Sequence, residues 1–193
     1  MEKEIFELII DESQDSGVDY IALVDYPAIE SNWMAFSEQK PKMQFAIQDE
    51  EKRIVSGYFM KADLPIVRVD SEKEFYVVFR KDTIRDIVYK FMKNGFNSQT
   101  NLMHDDKARL DNVFVFESLL IDSERGIKAP DNFEDAPDGS WWGSMRVEND
   151  DVWEQIKQGT FSGFSVEGIF KPSRVVTEEE ETIEKIKRLL SDL

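Results

Sequence analysis

Apolar residues come in short runs, separated by charged and turn-forming positions, through the first part of the chain. Residues 1–48 carry IFELII, VDYIALVDYPAI and MQFAI, punctuated by Pro27, Pro41 and the SEQKPK stretch. Runs this short, broken in this way, predict strands and loops rather than one long helix. RIVSGYFM at 53–60 and EFYVVF at 74–79 are rich in β-branched and aromatic residues and predict two more strands. VFVFESLLI at 113–121 is too uniformly apolar for a half-exposed strand and predicts a central one, buried on both faces. WWGSMRV at 141–147 and FSGFSVEGIF at 161–170 complete the strand set. The segment 123–140, between the strands at 113–121 and 141–147, with its Pro, Gly and Asp content, predicts an exposed, mobile loop.

Elsewhere the period changes from two to about 3.6. Ile84, Ile87, Val88, Phe91 and Met92 mark one buried face of a helix over 82–93, with Asp82 as its N-cap and Gly95 as its stop. A shorter helix fits 150–158, capped by Asn149, with Val152 and Ile156 on one face and Gly159 at its end. The tail opens with a capping-box pattern, Thr177 to Glu180, and then places Ile183, Ile186, Leu189, Leu190 and Leu193 on one stripe. This amphipathic helix over 176–193 either packs on its own domain or protrudes to pair with another copy or a scaffold. The organisation expected is one domain over 1–175 with that helix appended.

Composition narrows the function classes. With 193 residues, 41% of them hydrophobic and 12% aromatic, the chain buries a real core. The absence of cysteine removes disulfides and thiolate chemistry, and fits a reducing, intracellular setting. No apolar run has the length of a membrane span, and no signal-peptide core opens the chain, so a soluble, cytoplasmic protein is expected. The net charge of -16 repels nucleic acid. The richest basic stretch, Arg80 to Lys93, is interleaved with Asp82 and Asp86 and reads as a solvated helix face.

Three features bear on chemistry. His104 is the sole histidine and sits where a short apolar pair gives way to Asp105 and Asp106; imidazole is the side chain best matched to general-base work near neutral pH. Glu117 interrupts the apolar strand 113–121, where a carboxylate needs a partner. Either an arginine or a shifted pKa satisfies it, or it orients an imidazole as the acid of a Ser-His-acid triad does. In GTFSGFSVEGIF, Ser162 and Ser165 flank Gly163; Ser165 and Glu167 share one strand face, while Phe164, Val166 and Phe170 take the other. A metal reading through His104, Asp105, Asp106, Asp150 and Asp151 lacks any paired-His, Cys or EF-hand spacing, and no phosphate-cradling glycine pattern exists. Neither metal nor cofactor is expected. The Trp141-Trp142 pair belongs either to the core or to an exposed partner-binding surface.

In order and spacing, GVDYIALVDYPAIESNW, IVSGYFMKADLPIVRVD, FYVVFRKDTIRDIVYKFMKNG, NLMHDD, VFVFESLLID and GSWWGSMRVENDDVWEQIKQGTFSGFSVEGIF resemble the phage serine proteases of the XkdF type. These are relatives of the prohead maturation proteases that share a fold with herpesvirus assemblin. The resemblance implies an α+β fold, mostly an antiparallel β-barrel flanked by helices. It also implies a serine endopeptidase with Ser165 as nucleophile and His104 as base. Glu117 is the third member chosen, with Asp105 and Glu167 as alternatives, because the second histidine of assemblin-like proteases has no counterpart here. Between the nucleophile and the tail only Lys171 and Arg174 are basic, so no side chain is assigned to an oxyanion site. The implied substrates are scaffold and major capsid protein segments, and the chain itself, inside the assembling prohead in the host cytoplasm. A catalytically silent capsid or scaffold protein of the same fold is the alternative.

Overall fold

The computed structural model describes residues 4–11, 16–25, 45–70, 73–105 and 107–174. The strands are β1 (Ile5–Ile9), β2 (Gly17–Val24), β3 (Ala46–Asp49), β4 (Ile54–Met60), β5 (Ile66–Asp70) and β6 (Lys73–Val78), followed by β7 (Thr100–Leu102), β8 (Val113–Leu120), β9 (Trp141–Val147), β10 (Gly163–Ile169) and β11 (Lys171–Arg174). Helix α1 (Lys81–Lys93) lies between β6 and β7, and α2 (Asp150–Lys157) between β9 and β10. The expected tail helix over 176–193, and with it the division at 175, falls outside the described residues.

The strands form three sheets, ordered β11-β1-β6-β5, β10-β2-β7 and β3-β4-β9-β8. Within them β1-β6 and β2-β7 run parallel, and the other pairs are antiparallel. The fold is thus mostly β with two helices, but among the described residues these sheets do not close into the expected barrel. Alternation along a strand settles which face is buried. Closure needs a hydrogen-bonded seam with a matching stagger, and no single strand encodes that.

The sheets meet around a chain of aromatic rings. Phe91 of α1 lies 5.2 Å from Trp141 of β9, Trp141 lies 5.0 Å from Phe59 of β4, and Phe59 lies 4.8 Å from Phe164 of β10. All four are fully buried. Offset and edge-on contacts of this kind add roughly 0.5–1.5 kcal/mol per pair beyond the area they bury. Trp142 is buried as well, packed with Tyr58, Ile121 and Ala129 in a smaller cluster covered by Phe133. The two tryptophans are therefore core residues, and the exposed partner-binding reading fails.

Local signals located both helices well. Asn149 Oδ1 accepts the Val152 N–H at 3.1 Å, and Gly159 turns the chain away with φ +77°. In α1 the N-cap is Arg80 rather than Asp82; Asp82 stands in the first turn, where it complements the helix dipole and pairs with Arg85. Gly95 follows the helix with φ +70°, as its stop requires. Met92, assigned to the buried face, is 48% exposed.

β8 departs furthest from expectation. It is the edge of its sheet, not the centre, and its burial alternates through Val113 and Val115 before Phe116 and Glu117 emerge into solvent. A bulge between Val115 and Glu117 shifts the register there. The loop after it is tied down: Tyr58 donates to the Glu134 carbonyl at 2.6 Å, and Ser123 Oγ donates to Asp138 at 2.7 Å.

Candidate active site

The central strand of the three-stranded sheet sets up the site. β2 pairs with β10 on one side and β7 on the other, and its register aligns Ser165, Ala22 and Asn101 in one row across the three strands. Residues directly opposite in a ladder share a face, so the side chains of the outer two strands stand on the same side as Ala22. Outer strands are separated by roughly 9.5 Å, twice the interstrand spacing. Ala22, fully buried, carries only a methyl group, which leaves room for longer side chains to meet above it.

β10 is a firm mount. Phe164 points to the opposite face, where its ring packs on Phe45 at 5.0 Å and on Phe59 at 4.8 Å. After Glu167 the ladder slips by a bulge at Gly168, where an added Cβ would fall 1.8 Å from the Gly17 carbonyl oxygen. Glycine is obligatory at that close approach.

β7 ends at Leu102, and the two residues that follow, Met103 and His104, both have positive φ, 54° and 60°. For non-glycine residues each such conformation costs on the order of 1 kcal/mol. Neighbouring bonds hold them there: Met103 N–H donates to the Leu23 carbonyl at 3.1 Å, and the turn is closed by Asp105 N–H to Leu102 O and Ala108 N–H to Asp105 O. Consecutive left-handed residues lift the imidazole out of the strand direction and turn it over the row containing Ser165. Strain retained in this way is a frequent mark of a functional position.

There His104 Nε2 lies 2.9 Å from Ser165 Oγ, and Nδ1 lies 3.3 Å from Glu167 Oε2. The same Oε2 accepts from Asn101 Nδ2 at 2.9 Å. Ser165 is 1% exposed, whereas the His104 and Glu167 side chains are about one-third exposed, 33% and 32%. A carboxylate at Nδ1 favours the tautomer with its proton on that nitrogen, which leaves Nε2 to accept the Ser165 hydroxyl proton. The arrangement can generate an alkoxide-like nucleophile and stabilise the imidazolium that forms.

The other sequence-derived candidates lie apart from this cluster. Glu117 belongs to another sheet; its Oε2 accepts from Ser144 Oγ at 2.5 Å, in solvent contact, so the puzzle of a buried carboxylate dissolves and the carboxylate at His104 is Glu167 instead. Asp105 Oδ1 accepts the Lys107 N–H at 2.9 Å within the turn. Ser162 Oγ donates to the Asp25 carbonyl at 2.6 Å, which leaves Ser165 as the serine paired with the imidazole. Lys171 pairs with Asp11, and Asp150 with Arg53 at 2.6 Å. Among the described residues, no group of three or more His, Asp or Glu side chains converges as a metal site.

Sequence reasoning missed Asn101 and Ala22. Asn101 is fully buried, with Nδ2 committed to Glu167 and Oδ1 without a partner among the described residues. An amide inside a short strand just before the histidine was a usable signal. That β7 lies parallel beside β2 is a tertiary fact.

The family model described as "Putative phage serine protease XkdF" matches residues 42–173. The chain belongs to this family. The matched span contains His104, Ser165, Glu167 and Asn101, but begins after β2, whereas the sequence resemblance to XkdF-type proteases was read from residue 17 onward. A search of curated proteins and a search of solved structures each give no match.

Proposed function

We propose that this chain is an active serine endopeptidase in which Ser165 is the nucleophile, His104 the general base and Glu167 the acid. The observation that carries the reading is the 2.9 Å approach of His104 Nε2 to Ser165 Oγ with a carboxylate on the other ring nitrogen. Family membership supports it. In the acylation step the Ser165 hydroxyl proton passes to Nε2 as Oγ bonds to the scissile carbonyl carbon. The C–N bond then breaks, and the leaving amine takes the proton back from the imidazolium. Water, deprotonated in turn by His104, hydrolyses the acyl-enzyme. Glu167, at the other ring nitrogen, stabilises the imidazolium.

In a phage serine protease family, the substrates that fit this reading are scaffold and capsid protein segments of the immature capsid, together with the chain itself, inside the prohead in the host cytoplasm. The expected kinship with assemblin belongs to the same proposal. A silent capsid or scaffold component of this fold is the second reading, and the 1% exposure of Ser165 is the observation that favours it.

A small alkyl fluorophosphonate separates the two. Attack by Oγ forms an Oγ–P bond and expels fluoride, adding the phosphonyl mass to the intact protein. The active reading expects one adduct on Ser165, absent from Ser165→Ala and His104→Ala, and loss of scaffold cleavage on co-expression with either variant. No adduct on the folded wild-type protein overturns it.

A further inference from the structure

In the parallel ladder between β2 and β7, every second residue of β2 turns its main chain toward β7. Ile21 N–H donates to the Gln99 carbonyl at 3.1 Å, and the Leu23 carbonyl accepts from Met103 N–H at 3.1 Å. Asp25 is next in this series. Were β7 to run on, the Asp25 N–H would meet the Met103 carbonyl. The chain instead turns away through two left-handed residues, Met103 and His104. The Met103 side chain takes the place of its own carbonyl: Asp25 N–H donates to Sδ at 3.4 Å. The carbonyl of Asp25 is held from the β10 side, where Ser162 Oγ donates to it at 2.6 Å and Ser162 N–H donates to the Val24 carbonyl at 2.9 Å.

We infer that Met103 and Ser162 are positioning residues of the catalytic site, gripping the Asp25 main chain from two sides so that the His104 imidazole stays over Ser165. The inference rests on the protease reading above. Met103 directly precedes the base, and Ser162 stands three residues before the nucleophile. The path from Met103 through Asp25 to Ser162 therefore joins the strand that ends at His104 to the strand that carries Ser165. Asn101 and Glu167 join the same two strands at the other end of the site, where Glu167 lies opposite Tyr20 while Gly163 lies opposite Val24. One tether alone leaves the ring free to swing about Glu167 Oε2 and move away from Oγ without breaking the carboxylate contact. Tethers on opposite sides of Ser165 remove that freedom. A misplacement of about 1 Å at a reacting group costs on the order of 10²-fold in rate, so the freedom removed is worth having. The thioether has a second use. Left-handed non-glycine residues persist only where their surroundings over-determine them, and Sδ lets the backbone turn while the Asp25 N–H stays bonded.

Two readouts test this: the rate of fluorophosphonate labelling, followed by intact mass, and the NMR signal of the His104 ring, which is the sole histidine and needs no assignment. Met103→Leu keeps the apolar bulk and removes the acceptor. It is expected to slow labelling roughly three- to tenfold, the scale of one lost neutral hydrogen bond, and to shift the His104 Hε1 signal. Met103→Asn is expected to restore both, because its Oδ1 branches from Cγ as Sδ does and asparagine tolerates the left-handed turn. Ser162→Ala is expected to slow labelling by a similar factor. The double variant Met103→Leu/Ser162→Ala should lose less than the product of the two, because either loss already frees the residue they share. Wild-type rates in both single variants with an unmoved His104 signal overturn the positioning roles. So do a lower melting temperature at an unchanged rate, no recovery in Met103→Asn, or full multiplication in the double variant. In each of these cases labelling of the wild-type protein still upholds the protease. No labelling of the wild-type protein overturns both.

Discussion

Asn101 and Glu167, on the two outer strands of a three-stranded sheet, are joined by a 2.9 Å hydrogen bond that crosses the strand between them. The crossing is possible because the middle strand offers Ala22 in the row shared with Asn101. Asn101 Nδ2 and His104 Nδ1 converge on the same oxygen, Glu167 Oε2. One carboxylate oxygen thereby ties together the end of β7, the imidazole turn and the strand that carries Ser165.

The carboxylate partner is decided by substitution. Glu167→Gln keeps the shape but no longer stabilises imidazolium or selects the tautomer, and fluorophosphonate labelling of Ser165 should slow by on the order of 10³–10⁴-fold. Glu117→Gln, at a carboxylate that accepts from the Ser144 hydroxyl on another sheet, should label within about threefold of wild type, as surface changes usually do. If the two variants exchange these outcomes, Glu117 is the acid and the geometry around His104 is not the working one.

Asn101 is a positioning residue, acting through Glu167. Removing a hydrogen bond to a charged group costs about 1.5–3 kcal/mol, so Asn101→Ala should slow labelling roughly tenfold or more. A melting-temperature loss with the labelling rate unchanged would assign Asn101 to structure alone.

Tyr58 gives the fold a pH dependence. Burial, with Asp135 and Glu134 nearby, raises its phenol above the ordinary value of 10.0, and the hydroxyl donates to the Glu134 carbonyl at 2.6 Å. Lys61 Nζ, 5.0 Å from the ring centre, is the cation facing it. The native protein therefore keeps this proton at pH values where the unfolded chain has lost it. The stabilisation is complete below about pH 10 and is lost as pH rises through the native value. Tyr58→Phe should cost about 1 kcal/mol at pH 8, and its deficit against wild type should shrink at pH 11 in urea melts. A constant deficit would show that the phenol is not the titrating group.

Legibility followed the range of the interactions. α1 and α2 were read to within a residue or two, and Asn149 and Gly159 in their capping roles, because periodicity and caps are local. On β10 the period of two already placed Ser165 and Glu167 on one face. The choice of Glu117 failed because it assumed that an apolar strand must be central. β8 is an edge, bulged where Phe116 and Glu117 turn outward, and hydropathy along one strand does not report how many neighbours it has.

From residues alone, then, came the mostly β character, both described helices, His104 as the sole possible base for serine protease chemistry, and Ser165 with Glu167 on a shared face. Each follows from composition or from contacts a few positions apart. Tertiary structure decided which carboxylate meets the imidazole and that Asn101 holds it. Those depend on β2 lying between β10 and β7 in one register, a pairing that joins Ala22 to Asn101, 79 residues on, and to Ser165, 143 residues on, and whose specificity resides in packing rather than in any local pattern.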